Sequence, residues 1–224
     1  MRFRYLLWDF DGTLFDTYPP LIRAMQGALA TLGHTVSEAR IGALLADTLD
    51  GAIDTLSAEL ALDREAFVAE IERIHAGVRP DERPPFPGVI ALCERVQAAG
   101  GANLLFTHRD RPTLHTLLSW HGAEHLFLDI LTTEDGYPRK PDPAGFRALI
   151  ERNNLPLDEV LAVGDRDLDI LAGQAAGIAT CLFRATPSPG VTPDFRITSW
   201  GELAALLGLP GTPGADSDTD LTRR

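Results

Sequence analysis

Basic residues are scarce in this chain of 224: 20 lysines and arginines stand against 32 aspartates and glutamates, a formal net charge of −12. That imbalance argues against a general affinity for nucleic acid or for an anionic membrane surface. It leaves room for a small anionic ligand, because a local site can oppose the overall sign. Cysteine is nearly absent as well. Cys93 and Cys181 make no disulfide framework, and each sits in an apolar segment that reads as a buried thiol. Long apolar runs are also missing: the run after Arg2 and Arg4 breaks at Asp9, too early for a signal peptide or a membrane span. A soluble cytoplasmic protein is therefore the expectation. What is present is a hydrophobic content of 45%, enough for one large domain or for a core domain carrying an insertion.

Residues 3–8 read as a buried strand that runs straight into Asp9 and Asp11. From Thr17 to about Gly77 the pattern turns helical, with apolar residues recurring every three or four positions, as in "PPLIRAMQGALATLG" and "REAFVAEIERIHAGV". Asp16 or Thr17 can cap the first of these helices, Pro19 and Pro20 are tolerated in its first turn, and Gly33 suits its end. The proline-rich "RPDERPPFPG" at 79–88 reads as a linker. After it, helices and strands alternate. "VIALCERVQAAGG", "RPTLHTLLSWHG", "DPAGFRALIERNN" and "RDLDILAGQAAG" are helices, the third with Asp142 as cap and Pro143 at its first position. "ANLLFT", "LDILTT", "VLAVGD" and "IATCLF" are strands, with a short strand at "DFRIT" and a closing helix at "WGELAALLG". The polar, Gly/Pro-rich end is expected to be disordered. Such alternation implies an α/β fold with a parallel sheet covered on both faces. Sheets of that kind bind ligands at the carboxyl ends of their strands, near the point where strand order reverses.

The chemistry-bearing residues fall at those ends. The first strand ends in Asp9-x-Asp11-Gly12-Thr13, the second in Thr107-His108-Arg109. Lys140 follows the third, and the fourth ends in Gly164-Asp165-Arg166-Asp167-Leu168-Asp169. Clustered carboxylates repel unless a cation joins them, and a hard divalent ion such as Mg2+ suits oxygen ligands. Lys140 and Thr107 then remain to bind an anion with tetrahedral oxygens. A carboxylate between a cation and a phosphate can attack phosphorus, and a second one two residues on can move the protons. Gly12 lets the backbone turn so that its N–H groups face the phosphate.

"DFDGTLFDT", Thr107, Lys140 in "RKPDP" and "GDRDLD" together resemble the four motifs of the haloacid dehalogenase superfamily, in its phosphatase branch, subfamily IA. The order and spacing of all four make the likeness specific, and it covers the chain apart from its end. The resemblance implies a Rossmann-like core over 1–15 and 84–208, an inserted α-helical cap over 16–83, and a tail from 209 to 224. It implies Asp9 as nucleophile and Asp11 as general acid/base. Mg2+ would be held by the carboxylates of Asp9 and Asp165 and the backbone carbonyl of Asp11. Asp169 would support the metal site or orient the lysine, and Thr107, Lys140 and Gly12 would bind the phosphoryl group. "THR" and "GDR" are similar to a phosphoglycolate-phosphatase-like sub-branch. His108 departs from the commoner pattern, in which asparagine follows the second-motif Ser/Thr, and this bears on substrate identity more than on chemistry.

The resulting expectation is a Mg2+-dependent phosphatase acting on a small phosphorylated metabolite, with a sugar phosphomutase as the alternative. Dehalogenation needs neither Asp11 nor the acids of the fourth motif, and a signalling receiver would be shorter and lack the cap. His108 and Arg109 are candidates to touch substrate. Arg109 and Arg166 stand evenly between substrate contact and pairing with nearby carboxylates, and Asp167 reads as a solvated or capping acid. Thr48, Asp50 and Asp54 are polar candidates in the cap that serve equally well as helix caps and surface positions. His34, His75, His115, His121 and His125 lack metal-ligand spacing, and Trp8, Trp120 and Trp200 read as packing residues. A monomer is the expected state.

Overall fold

The computed structural model describes residues 1–46 and 48–210. Strand β1 (Tyr5–Trp8) is apolar along its length because both of its faces are covered, as a central parallel strand requires. It lies between β2 (Ala102–Phe106) and β4 (Val160–Gly164), with Leu7 in register with Leu104 on one side and Ala162 on the other. Beyond them come β3 (Phe127–Leu131), β5 (Ala179–Phe183) and β6 (Phe195–Ile197). All pairings are parallel, in the order β3-β2-β1-β4-β5-β6. The chain winds outward to one edge, returns, and winds to the other, so strand order reverses at β1. The loop that begins at Asp9 therefore sits at the switch point, where ligands bind in such sheets.

The alternating side chains of β1 divide the interior in two. Leu6 and Trp8 pack with Leu92 of α5 (Val89–Ala98), Leu117 of α6 (Arg111–Trp120) and Leu203 of α9 (Trp200–Leu207). Leu7 faces the other way, onto Phe146 and Leu149 of α7 (Ala144–Arg152) and Ala172 of α8 (Asp167–Ala176). Asn103 is fully buried yet satisfied: its amide oxygen accepts from Trp8 Nε1 at 3.0 Å, and its nitrogen donates to the carbonyls of Cys93 and Leu126.

Between β1 and α5 the chain forms α1 (Tyr18–Thr31), α2 (Glu38–Leu45), α3 (Leu49–Leu60) and α4 (Arg64–His75). These four helices bury a core of their own, with Met25, Leu29, Ile41, Ile53, Leu56 and Phe67 at its centre. Ser37, Thr48 and Asp63 cap α2, α3 and α4 by accepting backbone N–H groups of the first turns. Thr17 is the N-cap of α1 without a side-chain bond, and Gly33, at φ +85°, follows its end. The chain leaves and re-enters the α/β body along two adjacent segments. Asp16 N–H donates to Pro84 O and Phe86 N–H to Leu14 O, both at 2.9 Å.

Three details differ from the sequence expectation. Helix α7 starts one residue later, with Pro143 as N-cap, because Asp142 instead closes a local turn by accepting the Ala144 N–H at 2.8 Å. The linker contains a short 3-10 turn at Pro80–Glu82. Leu209, assigned above to the tail, packs into the body's core at 8% exposure, while the tail from 211 on lies outside the described residues. No described helix is long and apolar enough to cross a membrane.

Candidate active site

Lys140 is the only lysine in the chain, and its side chain is fully buried. Its Nζ donates to Asp9 Oδ1 at 2.5 Å, Asp169 Oδ1 at 2.6 Å and the Phe106 carbonyl at 3.1 Å. All three ammonium donors are thereby used. Burial works against the charge, but Asp169 and then Asp9 outweigh it, so the lysine titrates above its ordinary range. The loop that carries it is held from β2: the Lys140 backbone N–H donates to His108 Nε2 at 2.9 Å. An imidazole nitrogen that accepts must be unprotonated, which puts the proton on Nδ1. Burial first, and then Lys140, pushes the His108 pKa down to about 3. His108 is therefore a neutral strut for the lysine loop.

Asp9 follows β1 directly. One carboxylate oxygen takes the lysine; the other, Oδ2, is buried and has no partner among the described residues. Burial drives the Asp9 pKa up, opposed by Lys140. Asp169 uses both oxygens, one on Lys140 and the other on the Arg166 backbone N–H at 3.1 Å. The tight approach of β4 to α8 allows this: a Cβ on Gly164 would stand 2.3 Å from Asp169. Asp165 accepts from the Thr13 hydroxyl at 3.1 Å and from the Tyr18 hydroxyl at 3.0 Å. Gly12, at φ +82°, brings the two loops together, since a Cβ there would meet both Asp165 Oδ2 and Tyr18 at 2.3 Å.

Oxygens of Asp9, Asp165 and Asp169 lie within 4.8 Å of one another. Burial, then Asp9 and Asp169, raises the Asp165 pKa well above the carboxylate range. Three carboxylates against Lys140 and Arg166 leave excess negative charge, and the orphaned Asp9 Oδ2 faces it. A hard divalent cation would cancel that excess and fill that oxygen's vacant valence, so the residues present fit such an ion. Asp165 and Asp9 are the fitting carboxylate ligands. Asp169 is already committed to the lysine.

Asp11 stands apart from this cluster, paired with Arg109, whose Nε donates to Oδ2 at 3.2 Å and whose Nη2 donates to Oδ1. Burial opposes ionisation, but Arg109 outweighs it and holds the carboxyl below its usual range. In this arrangement Asp11 is a carboxylate suited to accepting a proton; donating one requires the Arg109 contact to open. Thr107 is buried, and its hydroxyl accepts the Arg109 backbone N–H at 3.1 Å.

A cavity of about 1010 Å³ opens over the cluster, lined by Gly12, Tyr18, Lys140, Asp165 and Arg166 from the α/β side and α1, and by Thr48 from the helical block. Asp50 and Asp54 do not line it. They are exposed ion-pair partners of Arg64, and Asp50 also meets Arg139 at 3.3 Å. The structure adds Thr13, Tyr18 and the Phe106 carbonyl to the residues singled out from sequence. Thr13 lay inside a quoted motif and its hydroxyl was a readable signal, whereas a tyrosine opening a helix carries none.

Comparison with known proteins agrees with this layout. Residues 6–183 match the model of the haloacid dehalogenase-like hydrolase family. A phosphoglycolate phosphatase from Photobacterium profundum is 30% identical over 221 residues, covering 92% of this chain and 96% of the relative. One from Vibrio parahaemolyticus is 28% identical over 222 residues, with the same coverage. The crystal structure of a hydrolase from Streptococcus pneumoniae superposes with a TM-score of 0.67 at 29% identity, covering 93% of this chain and all of that one. The chain belongs to the haloacid dehalogenase-like hydrolases, and its acidic cluster at the strand ends is consistent with their active site.

Proposed function

We propose that this protein is a Mg2+-dependent phosphatase that hydrolyses a small phosphomonoester of the phosphoglycolate type through an aspartyl-phosphate on Asp9. The observation that carries the reading is Asp9 itself: a buried carboxylate with one oxygen fixed by Lys140, which lines the cavity, and the other unpartnered among the described residues. The bond from Lys140 fixes the direction of the carboxylate, so that one Asp9 oxygen can attack phosphorus while the other meets the ion. The attacking oxygen would bond to phosphorus as the bond to the ester oxygen breaks. Asp11, once released from Arg109 and protonated, supplies the proton to that leaving oxygen. In the second half Asp11, again a carboxylate, takes a proton from water as the water attacks the acyl phosphate, and inorganic phosphate and free Asp9 result.

Lys140, locked at full charge, offsets negative charge on the transferring group, with the Thr107 hydroxyl as a further donor; the Gly12 N–H expected from the sequence to face the phosphate is spent on Phe15 O at 2.8 Å. Mg2+ held by Asp9, Asp165 and the Asp11 carbonyl would add charge neutralisation on the phosphoryl oxygens. The helical block 16–83 acts as a cap that excludes water and selects the leaving group, turning on the paired segments at 14–16 and 84–86. A sugar phosphomutase would share every step up to the acceptor, so the fate of the phosphoryl group separates the two.

The test is release of inorganic phosphate from a panel of phosphorylated metabolites, phosphoglycolate included, with Mg2+ and with chelator, in wild type and Asp9→Asn. Metal-dependent release that Asp9→Asn abolishes is expected. Near-normal turnover by Asp9→Asn would sink the reading, and an isomeric sugar phosphate formed without free phosphate would decide for the mutase.

A further inference from the structure

The two arginines that follow strand-end motifs are used differently. Arg109 is spent on Asp11. Arg166 forms no side-chain hydrogen bond or ion pair with any described residue, and its Nε is buried without a partner. This is an expensive state: an open donor on a buried charged group forfeits more than a neutral hydrogen bond is worth. Asp9, Asp169 and Asp165 all lie in its electrostatic field and keep it charged, yet none forms a hydrogen bond or ion pair with its guanidinium. Its backbone is fixed at the start of α8 through the Asp169 carboxylate, so the residue is placed rather than loose.

Where it is placed matters. Arg166 lines the cavity together with Lys140 and Asp165, and across the cavity stands Thr48 of the helical block. Thr107, a residue of the phosphoryl subsite, does not line that space. The volume far exceeds what one phosphoryl group fills. Two other cations line the wall: Lys140 has no donor left to offer without releasing Asp9, Asp169 or Phe106, and Arg184 is exposed, its Nε donating to Thr198 O at 3.1 Å and its guanidinium lying over the Phe86 and Phe183 rings. Arg166 is therefore the cation beside the carboxylate cluster that keeps a buried donor open at the cavity wall. Once a divalent ion offsets the carboxylates, its charge is no longer balanced from within the protein.

We propose that Arg166 is a specificity-determining residue that binds a second anionic group, a carboxylate or a further phosphate, on the leaving group of the substrate. This rests on the phosphatase reading and narrows it to phosphomonoesters that carry two anionic ends a short distance apart. A guanidinium suits the task, because its planar fork can meet either kind of anion with paired N–H donors.

The test uses the full chain with saturating Mg2+ and two non-hydrolysable ligands, phosphonoacetate and ethylphosphonate, which differ in the carboxylate. Titration calorimetry should show phosphonoacetate binding about tenfold more tightly, the worth of one charge-assisted hydrogen bond. Arg166→Gln should erase that preference while leaving ethylphosphonate affinity unchanged, and Arg166→Lys should retain part of it. Replacing phosphonoacetate by methylenediphosphonate asks whether the second anion is a phosphate or a carboxylate. Equal affinities in wild type, or an equal loss for both ligands in Arg166→Gln, would overturn the proposal; the wild-type comparison stands even if a variant fails to fold. Phosphate release from p-nitrophenyl phosphate, whose leaving group has no second anion, judges the phosphatase reading separately: its absence would count against the hydrolysis and not against the binding preference.

Discussion

At the scale of single residues, the site is built by leaving very little freedom to its charged groups. Lys140 has three partners and 0% side-chain exposure, so in the folded protein an amine-reactive ester should modify the amino terminus and spare the chain's only lysine. Denaturation should expose it, adding one acylation by mass spectrometry; rapid native labelling at Lys140 would contradict the buried triad. His108 gives a pH signature. Its pKa falls from 6.5 to about 3 on folding. Above pH 6.5 both states are neutral and nothing is lost. Below it the unfolded chain binds a proton that the folded one refuses, so stability drops as pH falls from 6.5 towards 3. Asparagine can still accept the Lys140 N–H but does not titrate there. His108→Asn should therefore shallow the acid limb of chemical-denaturation midpoints while leaving stability at pH 7.5 within about 1 kcal/mol of wild type. An unchanged acid limb would mean that the imidazole is not held neutral.

Between elements, the decisive features are close approaches that only glycine permits. Gly145 of α7 lies so near β2 that a Cβ would fall 2.4 Å from the Phe106 ring, and Phe106 presents its carbonyl to Lys140. Gly173 of α8 is as tightly placed, 2.7 Å from Thr180, but that contact faces β5 away from the cluster. Both alanine variants should lose about 1–3 kcal/mol to overpacking. Gly145→Ala should also lower kcat, because the end of β2 must shift, whereas Gly173→Ala should leave kcat intact; equal kcat losses would contradict the assigned coupling. Element type was legible beforehand for a related reason: strands buried on both faces read as unbroken apolar runs, and cap residues such as Ser37 and Asp63 mark helix starts. Strand order was not legible, since it depends on contacts between segments about a hundred residues apart, such as Leu7 with Leu104. The same limit applied to side chains. Asp9, Asp165 and Lys140 could be named from motifs, but that Arg109 takes Asp11 while Arg166 takes nothing follows only from where β2 and β4 deliver them.

For the molecule as a whole, the acidic cluster ties stability to the cation. Without the ion, Asp165 has its pKa raised on folding from 3.8 to about 8. A carboxyl raised in this way favours the folded state below pH 3.8, and that contribution is lost as pH climbs through the folded value, because the unfolded chain ionises freely while the folded one must ionise beside Asp9 and Asp169. The metal-free protein should accordingly lose melting temperature between about pH 5 and 8 from this group. Mg2+ binds the ionised cluster, so its stabilising effect should grow over the same interval. At a hundredfold excess over Kd the gain is about 2.7 kcal/mol, which for a chain of this size is a rise of several degrees. Asp165→Asn removes both halves of the effect: the metal-free variant should melt higher than metal-free wild type at pH 8, and Mg2+ should move it little. Scanning calorimetry of the two proteins at pH 5.5 and 8, with and without Mg2+, checks each part. A wild-type response to Mg2+ that is equal at both pH values, or that survives Asp165→Asn in full, would place the ion somewhere other than the ends of β1 and β4.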